Sequence, residues 1–410
     1  MRSITTALLL LLLPGFAHAI PAFARKYKTS CLTCHEGFPR LNPTGRVFRN
    51  NGYRFPAGME KTLRKEKPVS LGSEHFERVW PQGVWPSDIA ATAPIAFHAV
   101  GRLWYFDESE LTSFEIPHEL ELLFGGTIGK TLSYFGMIEY EPDEPVGFGF
   151  KLQYDPRTFM HVNAGNVGLE DGPAPPTQDA RRWTRTHYNV SVLRNASGTW
   201  KLNDGAGGGL AVWGASDGPR TQGGLTYVAG VGNGQSGSDN LDVDRSKDVF
   251  ARVTYKIAGR PVAGAQRDDD TSVDEKALRV GVFLHRGTAV DDSTGQDRFH
   301  LAGADVSLWF DSIHLAAAAA RMESEYLGAT FRSRAAFVEG SYAVYPWLFG
   351  YARFEYTDVS VDDATRAEQT LIPAVLALIR ANVKLVAEYR GPLESNDRHG
   401  DATIQLDFAF

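Results

Sequence analysis

Hydrophobic and polar residues alternate along most of this chain, from Ala93 to Phe410. A strand with one apolar face has this period of two, because successive side chains point to opposite sides of the sheet. Segments of roughly ten such residues, separated by turn residues, are typical of transmembrane β-barrels. The apolar faces include Phe97, Ala99, Leu103 and Tyr105; Val249, Ala251, Val253 and Tyr255; Leu278, Val280, Val282 and Leu284; and Ala302, Ala304, Val306 and Leu308.

A soluble antiparallel sandwich or barrel would also alternate, but three features favour the membrane. The apolar face recurs in about sixteen segments, more than one soluble sheet holds comfortably. The last segment ends Ile404-x-Leu406-x-Phe408-x-Phe410, which resembles the C-terminal assembly signal of outer-membrane barrels. The opposite face carries charges where a soluble core would be apolar, at Glu121, Glu139, Arg252, Arg279, Lys384 and Glu388. We therefore predict an all-β fold, an antiparallel transmembrane β-barrel of about sixteen strands over residues 93–410.

Connection lengths predict the orientation of this barrel. Long polar connections at 288–296, 323–331, 359–368 and 391–400 alternate with tight turns at 311–312, 345–346 and 379–380. Short turns of such barrels lie on the periplasmic side, so the C-terminus is predicted to be periplasmic. Residues 169–182 and 259–274 are long connections where this alternation predicts short turns.

The beginning of the chain predicts export. Arg2, an apolar run from Ala7 to Leu13, a Pro14-Gly15 break and a small-residue site at 17–19 are typical of a cleavable signal peptide, and the run is too short to span a bilayer. We assign residues 1–19 to the signal peptide. The predicted location is the outer membrane of a Gram-negative bacterium, reached through an oxidising compartment.

Cys31, Cys34 and His35 form a Cys-x-x-Cys-His motif, and the two cysteines are the only ones in the chain. This spacing is the attachment pattern of a c-type haem, in which two thiols bind the porphyrin and the adjacent imidazole is the proximal ligand of the iron. The alternatives are a redox-active thiol pair and a structural disulfide. A zinc site would need two further ligands from elsewhere.

The distal iron ligand is left open by the sequence. Met59, His75 and His98 are the candidates, and a Met ligand would raise the reduction potential relative to a second His. Met59 lies in a Gly-flanked loop, whereas His98 lies on a predicted strand. His98 could reach the iron only if the haem-bearing segment lies inside the barrel.

Residues 20–92, here called the head, are cationic, with 12 Lys and Arg against 6 Asp and Glu, whereas the whole chain carries a net charge of −7. A cationic head is thus joined to an acidic barrel. Asn42 is predicted to cap a short helix that carries Val47 and Phe48 and stops at Gly52. The net negative charge argues against nucleic-acid binding, and we find no hydrolase constellation.

Between Phe23 and Tyr53 the sequence resembles the fused cytochrome-porins of the bacterial outer membrane. The matching features are Phe-Ala-Arg at 23–25 before the motif, and Phe-Pro at 38–39, Leu-Asn at 41–42, Gly45 and Gly-Tyr at 52–53 after it. The resemblance implies one covalent haem c in a short N-terminal domain that enters or caps a barrel of about sixteen strands. Some members of that family oxidise ferrous iron at the cell surface.

Together these features give a functional hypothesis. One haem in the barrel would take electrons from an extracellular donor, with Fe(II) as the candidate, and pass them to a periplasmic carrier such as a soluble cytochrome. Two alternatives remain: a solute channel plugged or gated by the head, and a periplasmic electron shuttle anchored by a barrel in the outer-membrane lipid.

Overall fold

The computed structural model describes residues 22–37, 40–61, 63, 94–107, 109–142, 146–169, 189–195, 198–201, 208–234, 246–264, 275–291, 295–326, 329–361, 364–393 and 400–409. The proposed signal peptide and His75 lie outside these ranges. Among the described residues, no helix is both long and apolar enough to cross a membrane.

The described part of the head contains two short helices and a small hairpin. Helix α1 (Ala22–Tyr27) precedes a 3₁₀ turn (Cys31–Thr33), strands β1 (His35–Gly37) and β2 (Arg40–Leu41), helix α2 (Pro43–Asn50) and a second 3₁₀ turn (Met59–Lys61). The predicted cap of α2 is confirmed, because the Asn42 side chain accepts a hydrogen bond from the Gly45 amide. Its oxygen satisfies an amide that the first turn of a helix leaves unpaired.

Sixteen antiparallel strands form a closed barrel, which confirms the predicted fold class. The last strand pairs with the first, Asp401 opposite Phe106 and Ala409 opposite His98, so the sheet has no free edge at this seam. The barrel strands are β3 (Ile95–Phe106), β4 (Leu111–Ile128), β5 (Leu132–Tyr140), β6 (Gly147–Arg157), β7 (Met160–Asn166), β10 (Gly208–Asp217), β11 (Gly224–Gly232), β12 (Asp248–Ile257), β13 (Lys276–Asp291), β14 (Gly295–Phe310), β15 (Ile313–Tyr326), β16 (Ala329–Tyr345), β17 (Leu348–Val361), β18 (Ala364–Arg380), β19 (Val383–Pro392) and β20 (Asp401–Ala409).

The two faces of the barrel wall have the polarity that the alternation predicts. Inward-facing Arg252 and Asp305 form a fully buried ion pair at 2.6 Å. Outward-facing Val282 and Val338 are each 60% exposed. A soluble barrel would bury the valines and expose the charges, so this arrangement fits an apolar solvent around the wall.

The tight turns lie together at one end of the barrel, here called the short-turn end. They include residues 311–312, 346–347 and 381–382, within two residues of the predicted positions. The long connection after β12 belongs to this end as well, and it reaches inward to the head. Residues predicted as polar connections at 288–296, 323–331 and 359–368 are largely strand instead, because the ladders β13–β14, β15–β16 and β17–β18 continue through them.

The expectation of a short turn at 169–182 is wrong. Strand β7 pairs directly with β10, so the chain between them leaves the barrel wall and returns to the same seam. This connection belongs to the opposite, open end. It contains a separate hairpin of β8 (Val192–Asn195) and β9 (Gly198–Lys201), which is not part of the barrel.

Described residues of this connection, 167–169, 189–195 and 198–201, lie inside the barrel, and we call them the inner loop. Val167, Leu169, Val190 and Leu193 are almost completely buried against inward-facing residues of the wall, including Trp213 and Phe337. The Asn189 side chain donates to the carbonyl oxygens of Ala336 and Tyr356 on β16 and β17. The inner loop is therefore held against the inner face of the wall by apolar packing.

Candidate functional site

The two cysteines lie on one 3₁₀ turn. The Ser30 hydroxyl caps this turn by accepting from the Leu32 amide at 3.3 Å, and the Cys34 amide donates to the Cys31 carbonyl at 3.1 Å. No disulfide joins Cys31 and Cys34, which does not favour the disulfide alternative. Such a turn can present two thiols and the following His35 to a single ligand.

Helix α2 packs directly onto the cysteine turn. A Cβ atom at Gly45 would lie 2.0 Å from the Cys34 carbonyl oxygen, so only glycine allows this approach. The Asn42 amide group donates to the carbonyl oxygens of Leu32 at 3.0 Å and Thr33 at 3.2 Å. Asn42 therefore joins the turn to the helix as well as capping the helix.

An apolar group that we call the head cluster covers one side of the turn. Phe23 stacks on Tyr53 at 5.4 Å between ring centroids, and Phe48 and Phe55 are 4.6 Å apart. Met59 is buried in the same cluster. The members are Phe23, Tyr27, Cys34, Phe48, Tyr53, Phe55, Met59 and Leu63. These residues form a small core within the head itself.

Burial in this cluster changes the acidity of two groups. It raises the pKa of the Cys34 thiol to about 12, with a further contribution from Cys31. Burial also raises the pKa of Tyr27 to about 12, and the Glu60 carboxylate adds to the shift. Both groups are therefore neutral at physiological pH, which does not favour a reactive thiolate at Cys34.

The head lies in the mouth of the barrel at the short-turn end. Arg54 binds the Asp155 carboxylate on β6 at 2.8 Å and the Leu132 carbonyl on β5 at 2.6 Å. His161 on β7 binds Asp155 at 2.7 Å, and its other ring nitrogen lies 3.0 Å from the Asn50 carbonyl oxygen. This wall holds the end of α2 and the residues after it.

Other parts of the barrel contact the head too. Asn50 and Asn51 donate to the carbonyl oxygens of Val262 and Ala263 in the connection after β12, at 2.7 and 2.8 Å. Arg40 contacts the His314 ring at the start of β15. Head residues thus reach strands on both sides of the lumen.

The candidate distal ligands lie in different places. Met59 shares the head cluster with Cys34. The His98 ring is buried in the barrel wall, with its Nδ1 2.5 Å from the Glu121 carboxylate and 3.7 Å from Glu119. His75 is not among the described residues. The geometry therefore favours Met59 over His98.

A second group of side chains, at β3–β5, could hold a metal ion, and of its members the sequence indicated only His98, as a candidate haem ligand. The ligand atoms of His98, Glu119 and Glu121 lie within 4.8 Å of one another, and so do those of His118, Glu119 and Glu141. We call these five residues the glutamate–histidine group. His98 and Glu121 are cross-strand partners, and an irregularity in the β3–β4 register brings in His118. His118, Glu119 and Glu121 are close in the sequence, but only strand pairing adds His98 and Glu141 to them.

Comparison with solved structures identifies the barrel type. The chain superimposes on Salmonella typhi OmpF in complex with daunomycin with a TM-score of 0.54 at 13% identity, covering 77% of this chain and 97% of that one. It has the fold of outer-membrane porins. OmpT of Vibrio cholerae gives a TM-score of 0.51 at 12% identity, over 77% of this chain and 97% of OmpT. No protein-family model and no curated protein matches the sequence.

Proposed function

We propose that this porin-like barrel is an outer-membrane electron-transfer protein that carries one covalent haem c. The observation that carries the proposal is the cysteine turn in the barrel mouth, beside an apolar cluster that contains Met59. Two thiols, an imidazole and a thioether are a donor set that suits c-type haem. Cys31 and Cys34 would bind the porphyrin, His35 would be the proximal ligand and Met59 the distal one.

The haem would supply a one-electron iron couple. The protein's part is to position it and to keep water away. Phe23, Phe48 and Tyr53 would cover the porphyrin with apolar surface, and a Met ligand would raise the potential. Arg54, bound to Asp155, holds the head against the wall. Electrons would pass from an extracellular donor through the head to a periplasmic carrier at the short-turn end.

Fe(II) is the proposed donor. The glutamate–histidine group offers carboxylate oxygens and imidazole nitrogens, ligands that suit iron among the divalent metals. It lies on the same inward face of β4 as Gly125, where an added Cβ would be 3.6 Å from the Phe23 ring of the head cluster. An acidic lumen would also concentrate cations near the head.

Absorption spectra of the purified chain, oxidised and reduced, test the cofactor. We expect the spectrum of a c-type haem in the wild type and its loss in Cys34→Ser, with loss of the Met–iron charge-transfer band in Met59→Leu. A folded wild type that takes up no haem under c-type maturation would contradict the proposal.

Stopped-flow reduction of the haem by Fe²⁺ outside sealed liposomes tests the conduit. We expect Glu119→Gln to slow reduction at limiting Fe²⁺, and Glu339→Gln, a lumen carboxylate held by Tyr351 at 2.6 Å, to leave it unchanged. If only membrane-permeant donors reduced the haem, the conduit would be contradicted, and the protein would be a periplasmic electron shuttle anchored by the barrel.

A plugged solute channel is the second candidate, because the fold is that of porins and the head lies in the mouth. Single-channel conductance of the reconstituted chain with and without residues 20–92 distinguishes the two. A large increase in conductance on deletion of residues 20–92 would support a plug. The inner loop would still narrow the lumen of the deleted chain.

A further inference from the structure

A cavity lies between the head and the barrel wall, lined by α2 on one side and by strands β11–β14 on the other. Arg46 and Arg49 line it from the helix, and Lys256, Arg279 and Trp309 line it from the wall. None of the described residues that line it is acidic. The sequence predicts an acidic barrel around a cationic head, but the barrel wall is also cationic here. Cationic side chains therefore face each other across the cavity.

Trp309 brings two of these cations together. The guanidinium carbons of Arg46 and Arg279 lie 4.8 and 5.3 Å from the centre of its ring. A guanidinium stacked on an indole keeps its N–H donors at the edge of the plane, where they can bind oxygen atoms. Two such groups on one ring repel each other unless an anion lies near both. Lys256 is engaged by Glu275 and adds less charge to the cavity.

The indole N–H of Trp309 provides an independent indication of a ligand. Trp309 is 4% exposed, and within the described part of the chain its Nε1 has no hydrogen-bond partner. Trp213 occupies a comparable position, stacked on a histidine in the lumen wall as Trp309 is on His314, but its Nε1 donates to Asn163 at 3.2 Å. Buried N–H groups are almost always paired, so an acceptor is expected at Trp309.

We propose that this cavity binds an oxyanion, which accepts from the Trp309 N–H and from Arg46 and Arg279 and so joins helix α2 to the barrel wall. Carboxylate and phosphate both have the acceptor oxygens and the charge that this donor set requires. The oxyanion can come from the propionate groups of a haem attached at the cysteine turn, to which Gly45 holds α2, or from free phosphate. The first source rests on the proposed function; the second does not.

Calorimetric titration with inorganic phosphate tests the site, using the full chain in detergent, prepared with and without haem maturation. We expect the haem-free chain to bind phosphate and the Arg46→Gln/Arg279→Gln variant to lose at least about tenfold in affinity. Trp309→Phe keeps a ring under the guanidiniums but removes the donor, so it should weaken binding about threefold to tenfold. Trp213→Phe and Arg334→Gln, an exposed arginine on β16, are the matched controls and should bind like the wild type.

The haem-loaded chain identifies the source. If the haem-loaded chain no longer binds phosphate, the propionates fill the cavity. If it binds phosphate as tightly as the haem-free chain, the ligand is a free anion. Both results support an oxyanion site in the cavity. Phosphate binding by neither preparation would overturn the proposal, as would wild-type affinity in both the double arginine variant and Trp309→Phe. Absence of haem after maturation would contradict the proposed function alone, because the phosphate titration still decides the site. Unchanged strand circular dichroism would show that each variant is folded.

Discussion

The head and the inner loop both lie inside the barrel, and they are held there by different kinds of contact. The head is joined to the wall mainly by polar groups, such as Arg54 to Asp155 and Asn50 to Val262. Most apolar side chains of the head pack on one another in the head cluster, although Tyr53 also stacks on Phe135 of β5. The apolar side chains of the inner loop pack on the wall instead, since Leu169 and Leu193 contact apolar wall residues directly.

This difference indicates two roles. A segment that keeps its own apolar core can enclose a cofactor and still dock as a unit, since most of its polar contacts with the wall are made by residues outside that core. A segment whose apolar residues complete the core of the wall has no separate fold to keep. The head is thus expected to open independently of the barrel, whereas opening of the inner loop exposes part of the barrel's own core.

Gly45→Ala is expected to give the largest effect on the head. Alanine would favour the helix by about 1 kcal/mol, but its Cβ would lie 2.0 Å from the Cys34 carbonyl oxygen, and backbone cannot move away cheaply. We expect a net loss of about 3 kcal/mol or more for the closed head. Amide hydrogen exchange in residues 22–61 and haem content measure it.

Gly350→Ala is the control for this substitution, because an added Cβ there meets nothing within 4 Å. It should leave exchange in the head unchanged. Equal protection of the head in Gly45→Ala and Gly350→Ala would show that α2 does not pack on the cysteine turn as described.

Leu193→Ala tests the inner loop. The side chain is completely buried against the wall, so its truncation should cost about 2–5 kcal/mol of loop docking. Exchange should increase in residues 189–195 and conductance should rise, with the head unaffected. Leu371→Ala removes the same atoms from an outward-facing side chain that is 41% exposed. It should change neither the exchange in residues 189–195 nor the conductance. Faster exchange in the head of Leu193→Ala would mean that the two segments do not open independently.

The sequence contained enough information for the barrel and for the local features of the head. Period-two alternation repeats in most barrel strands, and the Asn42 cap depends only on residues three positions apart. The same alternation could not show that β8 and β9 leave the wall, because it sets which face is apolar and not which strand is the neighbour. Nor could it show that Asp155 meets Arg54, since about a hundred residues separate them.

For the candidate site, the sequence indicated only what is contiguous, and the haem itself stays a prediction. The motif at Cys31, Cys34 and His35 is contiguous, so its spacing alone suggested haem. The glutamate–histidine group and the Trp309 cavity are assembled by strand pairing and by docking of the head. Each residue taken alone had the ordinary appearance of a lumen charge or a wall aromatic, and only the fold brings them together.

Arg54→Gln tests the polar docking of the head. Asp155 keeps its hydrogen bonds from Ser133, Gln153 and His161, so it is not left without donors. We therefore expect a moderate loss of about 1–3 kcal/mol in closure of the head, measured by hydrogen exchange in residues 22–61, with the inner loop unchanged. Arg332→Gln removes an exposed arginine 3.5 Å from Glu323 and should cost less than about 1 kcal/mol. A loss in Arg54→Gln no larger than that in Arg332→Gln would show that the ion pair does not hold the head.

Asn42 should show the smallest effect, and two substitutions separate its two roles. Asn42→Ala removes the helix cap, worth about 1 kcal/mol, together with the hydrogen bonds from its amide group to Leu32 and Thr33. Asn42→Asp keeps the capping oxygen and removes only those two donors. If only the cap stabilises the head, exchange protection of α2 will be as strong in Asn42→Asp as in the wild type. If the hydrogen bonds to the cysteine turn also stabilise it, protection of residues 31–34 will fall equally in both variants. Full protection of both segments in Asn42→Ala would contradict both roles, and the approach of α2 to the turn would then rest on Gly45 alone.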